Sequence, residues 1–258
     1  MDATPSPPLF SFRPGWKTLY ESSMSGKVQR KVKIEGRELL QPPLEVFTSE
    51  ELQILNMSPE RESCLSYHMN FVPKQIAHLN HLTVLYMDTN GLEEIPPEIG
   101  TLNRLLRLTL SNNSLSSLPA ELADLQGLRS LHLANNHFSS FPAVVCQLSS
   151  LTFLDVSDNQ IEAIPPSIKQ LKNLQTFLLA LNCVERLPEE FCSLTKLSCL
   201  WLGHNKLKEL PANFGNLALL DWEYNHCSYN LEGNPLCRPP IDVCSRGPKE
   251  IEAYFASC

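Results

Sequence analysis

Groups able to make or break bonds are few in this chain, and their spacing serves no familiar chemistry. "HLNH" places His78 and His81 near one another, but no further ligand follows at a zinc-like interval, so a surface turn is the expected setting. Cys183, Cys192 and Cys199 are close in sequence, yet Cys192 belongs to a turn segment and Cys199 to a strand, which argues against a shared metal. Asp88, Asp155 and Asp158 could do paired-carboxylate work only inside a cleft, and nothing in the sequence encloses them. GxGxxG, P-loop, GxSxG and HExxH patterns are missing. The chain therefore reads as a non-enzyme, with no catalytic, metal-binding or cofactor-binding residues assigned and no cofactor expected.

Bulk properties narrow the remaining classes. The chain has 258 residues, 43% of them hydrophobic, enough for a substantial core. With 21 basic against 28 acidic residues the net charge is -7, which speaks against nucleic acid or anionic lipid as the main partner. No stretch reaches the ~18 apolar residues of a membrane span, and "MDATPSPPLFSFRPGWK" lacks a charged segment followed by an apolar one. A soluble, cytoplasmic protein is expected. Its nine cysteines are odd in number and spread over a long chain, which suits reduced, partly buried thiols better than a disulfide framework.

What organises the sequence is a repeat. Asn90, Asn113, Asn136, Asn159, Asn182 and Asn205 recur every 23 residues, and a constant period of that size means a solenoid. Around each asparagine runs L-x-x-L-x-L-x-x-N-x-L-x-x-L-P-x-x-I-x-x-L, as in Leu105, Leu108, Leu110, Asn113, Leu115, Leu118, Pro119, Leu122 and Leu125. In "LRSLHLANN", Leu131 and Leu133 share one face of a short strand while His132 points the other way. Parallel pairing of successive strands needs a crossover, which the segment around Pro142 supplies. The asparagine is expected to turn the chain after the strand and to bond buried backbone groups of neighbouring units.

These residues resemble the leucine-rich repeat family across most of the chain. The resemblance implies an α/β repeat fold, a solenoid with a curved parallel β-sheet on its concave face and an irregular, 3-10 or helical convex side. Weaker units extend the array, one through Val32, Ile34, Leu39, Pro43 and Val46, another through Leu52, Leu55 and Met57, and a last one through Leu231, Asn234 and Leu236. The expected organisation is a partly disordered N-terminal segment or cap over 1–28, about nine repeats over 29–248, and a C-terminal capping helix over 249–258, where Ile251, Tyr254 and Phe255 have helical spacing. Before the repeats, Trp16, Leu19 and Tyr20 suggest anchoring, and insertions near 61–68 and 222–227 should form loops.

The 23-residue unit with "LPxxI" is similar to the intracellular class of Ras-pathway, Ras-suppressor and Scribble or Erbin scaffolds. The ending "EGNPLCRPPIDVCSRGPKEIEAYF" is similar to the closing segment of intracellular members, some of which continue into a further domain; with Cys258 as the last residue, none is expected here. Extracellular members close on N-P-W-x-C-x-C, but here the Trp is missing and Cys237 and Cys244 are farther apart, so the sequons at Asn56 and Asn112 are read as meaningless. The resemblance implies a scaffold or adaptor, binding protein partners such as small GTPases or signalling or cytoskeletal proteins, without nucleic acid or a membrane span, and as a monomer. The alternatives are a recruiting or regulatory subunit of a phosphatase or ubiquitin ligase, docking through the inserts, and a structural component of a cytoskeletal assembly.

If the repeated letters are structural, function lies in the unrepeated ones. The outward strand positions are Lys33, Asn56, Tyr86, Thr109, His132, Asp155, Leu178, Trp201 and Asn230, polar at first and apolar at Leu178 and Trp201. Together Phe153, Leu178, Leu181, Trp201 and His204 would form an exposed apolar patch bordered by Asp155 and Asp158, and such patches mark interfaces. The competing reading uses the same residues: the insertion carrying Trp222 folds over Trp201 and makes a local core. A second, polar candidate is the upper edge with Tyr86, Asp88, Asn112, His132 and Asn135, although for His132 alone a solvated strand histidine is the simpler expectation.

Overall fold

The computed structural model describes residues 16–22, 28–34, 44–49, 51–59, 70–220 and 229–257. Ten strands follow in sequence order: β1 (Trp16–Ser22), β2 (Val28–Ile34), β3 (Ile54–Asn56), β4 (Val84–Tyr86), β5 (Arg107–Thr109), β6 (Ser130–His132), β7 (Phe153–Asp155), β8 (Thr176–Leu178), β9 (Cys199–Trp201) and β10 (Tyr229–Asn230). They form one open sheet whose spatial order is the sequence order. The nine strands β2 to β10 are parallel, and β1 lies antiparallel against β2 at the edge. This is the solenoid that the repeat predicts. The expected insertions at 61–68 and 222–227, the first dozen residues, and the side chains of Trp16, Leu19 and Tyr20 lie outside what is described.

Each turn of the coil follows from its letters. The middle residue of each short strand faces inward, so Leu85, Leu108, Leu131, Leu154, Phe177 and Leu200 are fully buried. Phe177 stands where the neighbouring units have leucine, stacking on Phe191 at 6.0 Å and meeting Phe141 edge-on at 6.3 Å. The return path is a 3-10 segment, such as Pro97–Thr101, Ala120–Asp124, Pro166–Gln170 or Glu189–Ser193. A proline in extended conformation precedes each of these, its fixed φ and missing N–H suiting a position where no donor is needed. Each segment then buries an apolar side chain at the same place: Ile99 at 1% exposure, and Leu122, Ile168 and Phe191 fully.

The asparagines clip the turns together. Asn136 Nδ2 donates to the carbonyls of Leu110, Leu133 and Ala134 at 3.0, 3.0 and 3.2 Å, and its Oδ1 accepts the Leu115 N–H at 3.0 Å. Leu110 and Leu115 belong to the preceding repeat, so the amide joins two turns while holding its own. The same pattern recurs at Asn113, Asn159, Asn182 and Asn205, and the shifted Asn234 closes it. The chain reversal itself is made one residue earlier than the sequence suggests, because Thr89, Asn112, Asn135, Asp158, Leu181 and His204 take left-handed φ values of 51 to 60°. At this position each peptide N–H, Asn135's among them, donates to a carbonyl of the next turn. At the far end, helices α1 (Ile241–Cys244) and α2 (Pro248–Ala256) follow. Ile251 of α2 is fully buried, and Pro248 lies so close to Gly215 that a Cβ there would stand 2.9 Å from the Pro248 carbonyl oxygen.

Replacing Asn159 by Ala removes donors to Leu133, Val156 and Ser157 and strands the Phe138 N–H. The expected loss is ~1–3 kcal/mol of unfolding free energy, the cost of leaving buried polar groups unpaired. Urea denaturation checks it, and an unchanged midpoint would contradict the clamp.

Candidate functional site

The strand register places the outward residues in one row. Lys33 pairs with Asn56, Asn56 with Tyr86, Tyr86 with Thr109, and so on through His132, Asp155, Leu178 and Trp201 to Asn230. A second row is formed by the left-handed residues, ending in Asp158, Leu181 and His204. Between the two rows stand small residues in the same three repeats, Ser157, Ala180 and Gly203. In this stretch Asp155, Leu178 and Trp201 therefore form one wall, and Asp158, Leu181 and His204 the other.

The two ends of this face differ in how their polar groups are satisfied. Near the N-terminal end, Asp88 accepts from Thr109 Oγ1 at 2.6 Å and from the Ser111 N–H at 2.8 Å. Asn135 donates to Asn112 Oδ1 at 2.8 Å, and Asn112 to Thr89 Oγ1 at 3.3 Å. The Arg107 guanidinium sits over the Tyr86 ring at 5.7 Å. The second candidate set, Tyr86, Asp88, Asn112, His132 and Asn135, is thus engaged with its own neighbours. His132 is not the solvated histidine expected from sequence: its ring stacks on Phe153 at 4.5 Å, and Nε2 lies 2.9 Å from Ser130 Oγ. Its burial, helped by the positive charge of Arg107, holds its pKa below the ordinary value, against the opposing pull of Asp155 and Asp88.

Toward the C-terminal end the face opens. Trp201 is 39% and Leu181 52% exposed, and Leu178 between them is half-buried. His204 packs over Gly233, where a Cβ would come within 2.5 Å of Nδ1 and where φ is +73°, so only glycine fits. Asp155 uses Oδ1 to accept the Ser157 N–H at 3.0 Å. Phe153 stands one row away, beside Thr176, with its ring on His132. The structure thus brings five of the six first-choice residues together and turns Phe153 toward the polar half. The insertion that could cover Trp201 lies outside the described residues.

Reactive groups are elsewhere and muted. Burial pushes the Cys192 thiol up to about 12, with the charge of Glu189 adding, and the buried Cys244 thiol up to about 11. Burial also raises Cys146. Such thiols stay protonated and unreactive at neutral pH. Cys192 lies in a 3-10 segment and Cys199 on β9, as the repeat positions imply. His78 and His81 are exposed. Among the described residues, no group of three or more His, Cys, Asp or Glu side chains comes together to hold a metal, and no helix is long and apolar enough to cross a membrane. Exposed apolar residues that the sequence reading passed over are Phe71, Leu106, Leu219 and Ile241. Leu106 alone had a visible signal, since it occupies the place of Thr83, Arg129, Thr152, Gln175 and Ser198 in other units.

Comparisons with known proteins agree with the geometry. A family profile described as a leucine-rich repeat region matches residues 144–224, and one described as leucine rich repeat matches 71–138. A search of curated proteins returns no significant match. Among solved structures, a leucine-rich repeat protein of Leptospira interrogans is 26% identical, with a TM-score of 0.59, covering 88% of this chain and 64% of its own. The plant peptide hormone receptor RGFR1 in complex with RGF2 is 27% identical, with a TM-score of 0.65, covering 80% of this chain and 32% of that one. The ectodomain of the Arabidopsis thaliana receptor kinase GASSHO1/SCHENGEN3, in complex with CASPARIAN STRIP INTEGRITY FACTOR 2, shares the fold at 23% identity and a TM-score of 0.63, covering 84% of this chain and 28% of that one. The chain thus spans less than two thirds of the Leptospira protein and about a third of each plant receptor.

Two expectations follow from the buried groups. Because the folded pKa of His132 lies below its ordinary 6.5, the unfolded chain binds the proton more readily, and stability falls as pH drops below that value. Urea midpoints measured at neutral and mildly acidic pH should show a smaller acid loss in His132→Gln than in wild type; equal losses would clear His132 of the effect. Brief iodoacetamide treatment of the native protein near neutrality, followed by peptide mapping, should modify exposed Cys237 well before buried Cys192 and Cys244.

Proposed function

The chain is a leucine-rich repeat protein, and from that premise we propose that it acts as a non-catalytic scaffold or adaptor, binding a protein partner across the sheet face at Asp155, Leu178, Leu181, Trp201 and His204. The observation that carries this reading is the exposure of Trp201 and Leu181 on adjacent repeats, with Leu178 in strand register beside Trp201. An exposed apolar group on a rigid framework is the kind of surface that anchors a partner, and tryptophan is the residue most enriched at such anchors. The contrast along the face supports the choice of end. Near its N-terminal end, polar side chains bond one another; around Trp201, apolar groups are presented instead. Complexes with RGF2 and CASPARIAN STRIP INTEGRITY FACTOR 2 are properties of the two plant receptors; they support a binding role for this chain only by analogy of fold.

An intracellular setting fits the same reading. The described cysteines are free thiols, one of them the exposed Cys237, which suits a reducing compartment. The similarity of the 23-residue unit to Ras-pathway and Scribble-type scaffolds points to signalling or cytoskeletal partners.

Tagged protein and a folded Leu178→Glu, Trp201→Ala double variant, used in parallel pull-downs from cytosolic extract, test the proposal. Both side chains lie on the sheet surface, Trp201 exposed and Leu178 half-buried, and neither belongs to the buried core, so the melting temperature should stay close to wild type. A partner retained by wild type and lost from the variant is the expected result. Identical partners on both proteins, or a collapsed melting temperature with unchanged capture, would sink this site.

A further inference from the structure

The three repeats that present the apolar patch carry an unbalanced charge. Their sheet-face positions hold two carboxylates, Asp155 and Asp158, and no lysine or arginine. Among the described residues the ion pairs are Arg30 with Glu51, Lys74 with Glu98, Arg186 with Glu209 and Arg246 with Asp242, so neither carboxylate has a described cationic side chain within ion-pair distance. Asp88, one of the other acids on this face, has its oxygens taken up by Thr109 and Ser111. Asp155 gives one oxygen to its own turn and keeps the other. Asp158 is exposed, on a left-handed residue whose backbone is already bonded into the coil.

The charges have a fixed position relative to the apolar groups. Asp155 pairs in register with Leu178, and Leu178 with Trp201. At roughly 4.8 Å per strand, the carboxylates stand about 5 Å from the leucines and about 10 Å from Trp201 along the sheet. On the N-terminal side Arg107 is exposed, so a cation is favoured at the two aspartates and disfavoured farther along in that direction.

We propose that the occupant of this face is a protein segment presenting an arginine or lysine next to a large apolar side chain, the cation against Asp155 and Asp158 and the apolar group against Leu178, Leu181 and Trp201. This rests on the reading of the face as the interface and adds the chemistry of what fills it. Arginine is the better fit, because its planar fork can reach two carboxylates at once. The aspartates supply orientation and selectivity, rejecting an acidic segment, while the apolar contact supplies most of the hold.

A phage-displayed library of random linear peptides, selected on the full-length protein, supplies the probes. Selected peptides are then titrated by fluorescence polarisation against wild type, Asp155→Asn with Asp158→Asn, and Leu178→Glu with Trp201→Ala. Asparagine keeps the oxygen that Asp155 uses in its turn, so the first variant should melt like wild type. The expected result is a set of peptides pairing Arg or Lys with Trp, Phe or Leu, which bind the asparagine variant at least tenfold more weakly and also weaken in about 1 M salt, where the screening length is about 3 Å. Peptides that need Leu178 and Trp201 but bind the asparagine variant as well as wild type would overturn the charge assignment and leave the interface standing. Peptides indifferent to both variants, or a library yielding none, would overturn both.

Discussion

A coil built from three-residue strands bonds much of its backbone from turn to turn, but it leaves buried peptide groups after each strand that need another partner. The side-chain amide at the recurring asparagine meets that demand. With two N–H groups and one oxygen, Asn113 serves the carbonyls of Met87, Leu110 and Ser111 and the peptide N–H groups of Asn90 and Leu92, at distances of 2.9 to 3.1 Å. Because its partners sit in two successive turns, it also sets their spacing. Even across the longer unit between Asn205 and Asn234 the amide reaches Leu202 and Leu207 of the preceding turn, so the clamp is kept where the period is not. Aspartate would lack the donors, and glutamine would overshoot, so the position admits little else.

Holding the turns in register has a second effect, on the surface. Every residue between the paired leucines is forced into the same row, whatever its type, and the protein can change what it displays without changing how it stands. Along that row the composition runs from Lys33 to Asn230 through aromatic, hydroxyl, imidazole, carboxylate and apolar groups. Where neighbouring groups are complementary they engage one another, as Asp88 does with Thr109 and His132 with Phe153. At Leu178 and Trp201 the row turns apolar, and both side chains are at least partly exposed.

The row was legible in the sequence because two simple periods determine it, one of 23 residues between units and one of two along a strand. Exposure of Trp201 and Leu181 could be read for the same reason. The details that escaped depend on contacts with no periodic signature. Nothing in the letters marks Thr89 or Leu181 as left-handed, since neither glycine nor asparagine stands there; the tight turn and the fixed amide after it impose that conformation. The stacking of His132 on Phe153 joins residues 21 positions apart through the rotation of two side chains. The strand β1 within the segment expected to be partly disordered is antiparallel, and so lies outside the pattern that identified the rest.

The serial order of the strands has a mechanical consequence. In this sheet each strand touches only its sequence neighbours, so tension applied at the two termini is carried through the inter-turn clamps one after another rather than shared. Each 23-residue unit that yields pays out about 75 Å of chain, while the units behind it keep their bonds. Such a coil behaves as an extensible tether that gives way in steps, and the turns still wound would continue to present whatever their outer row displays.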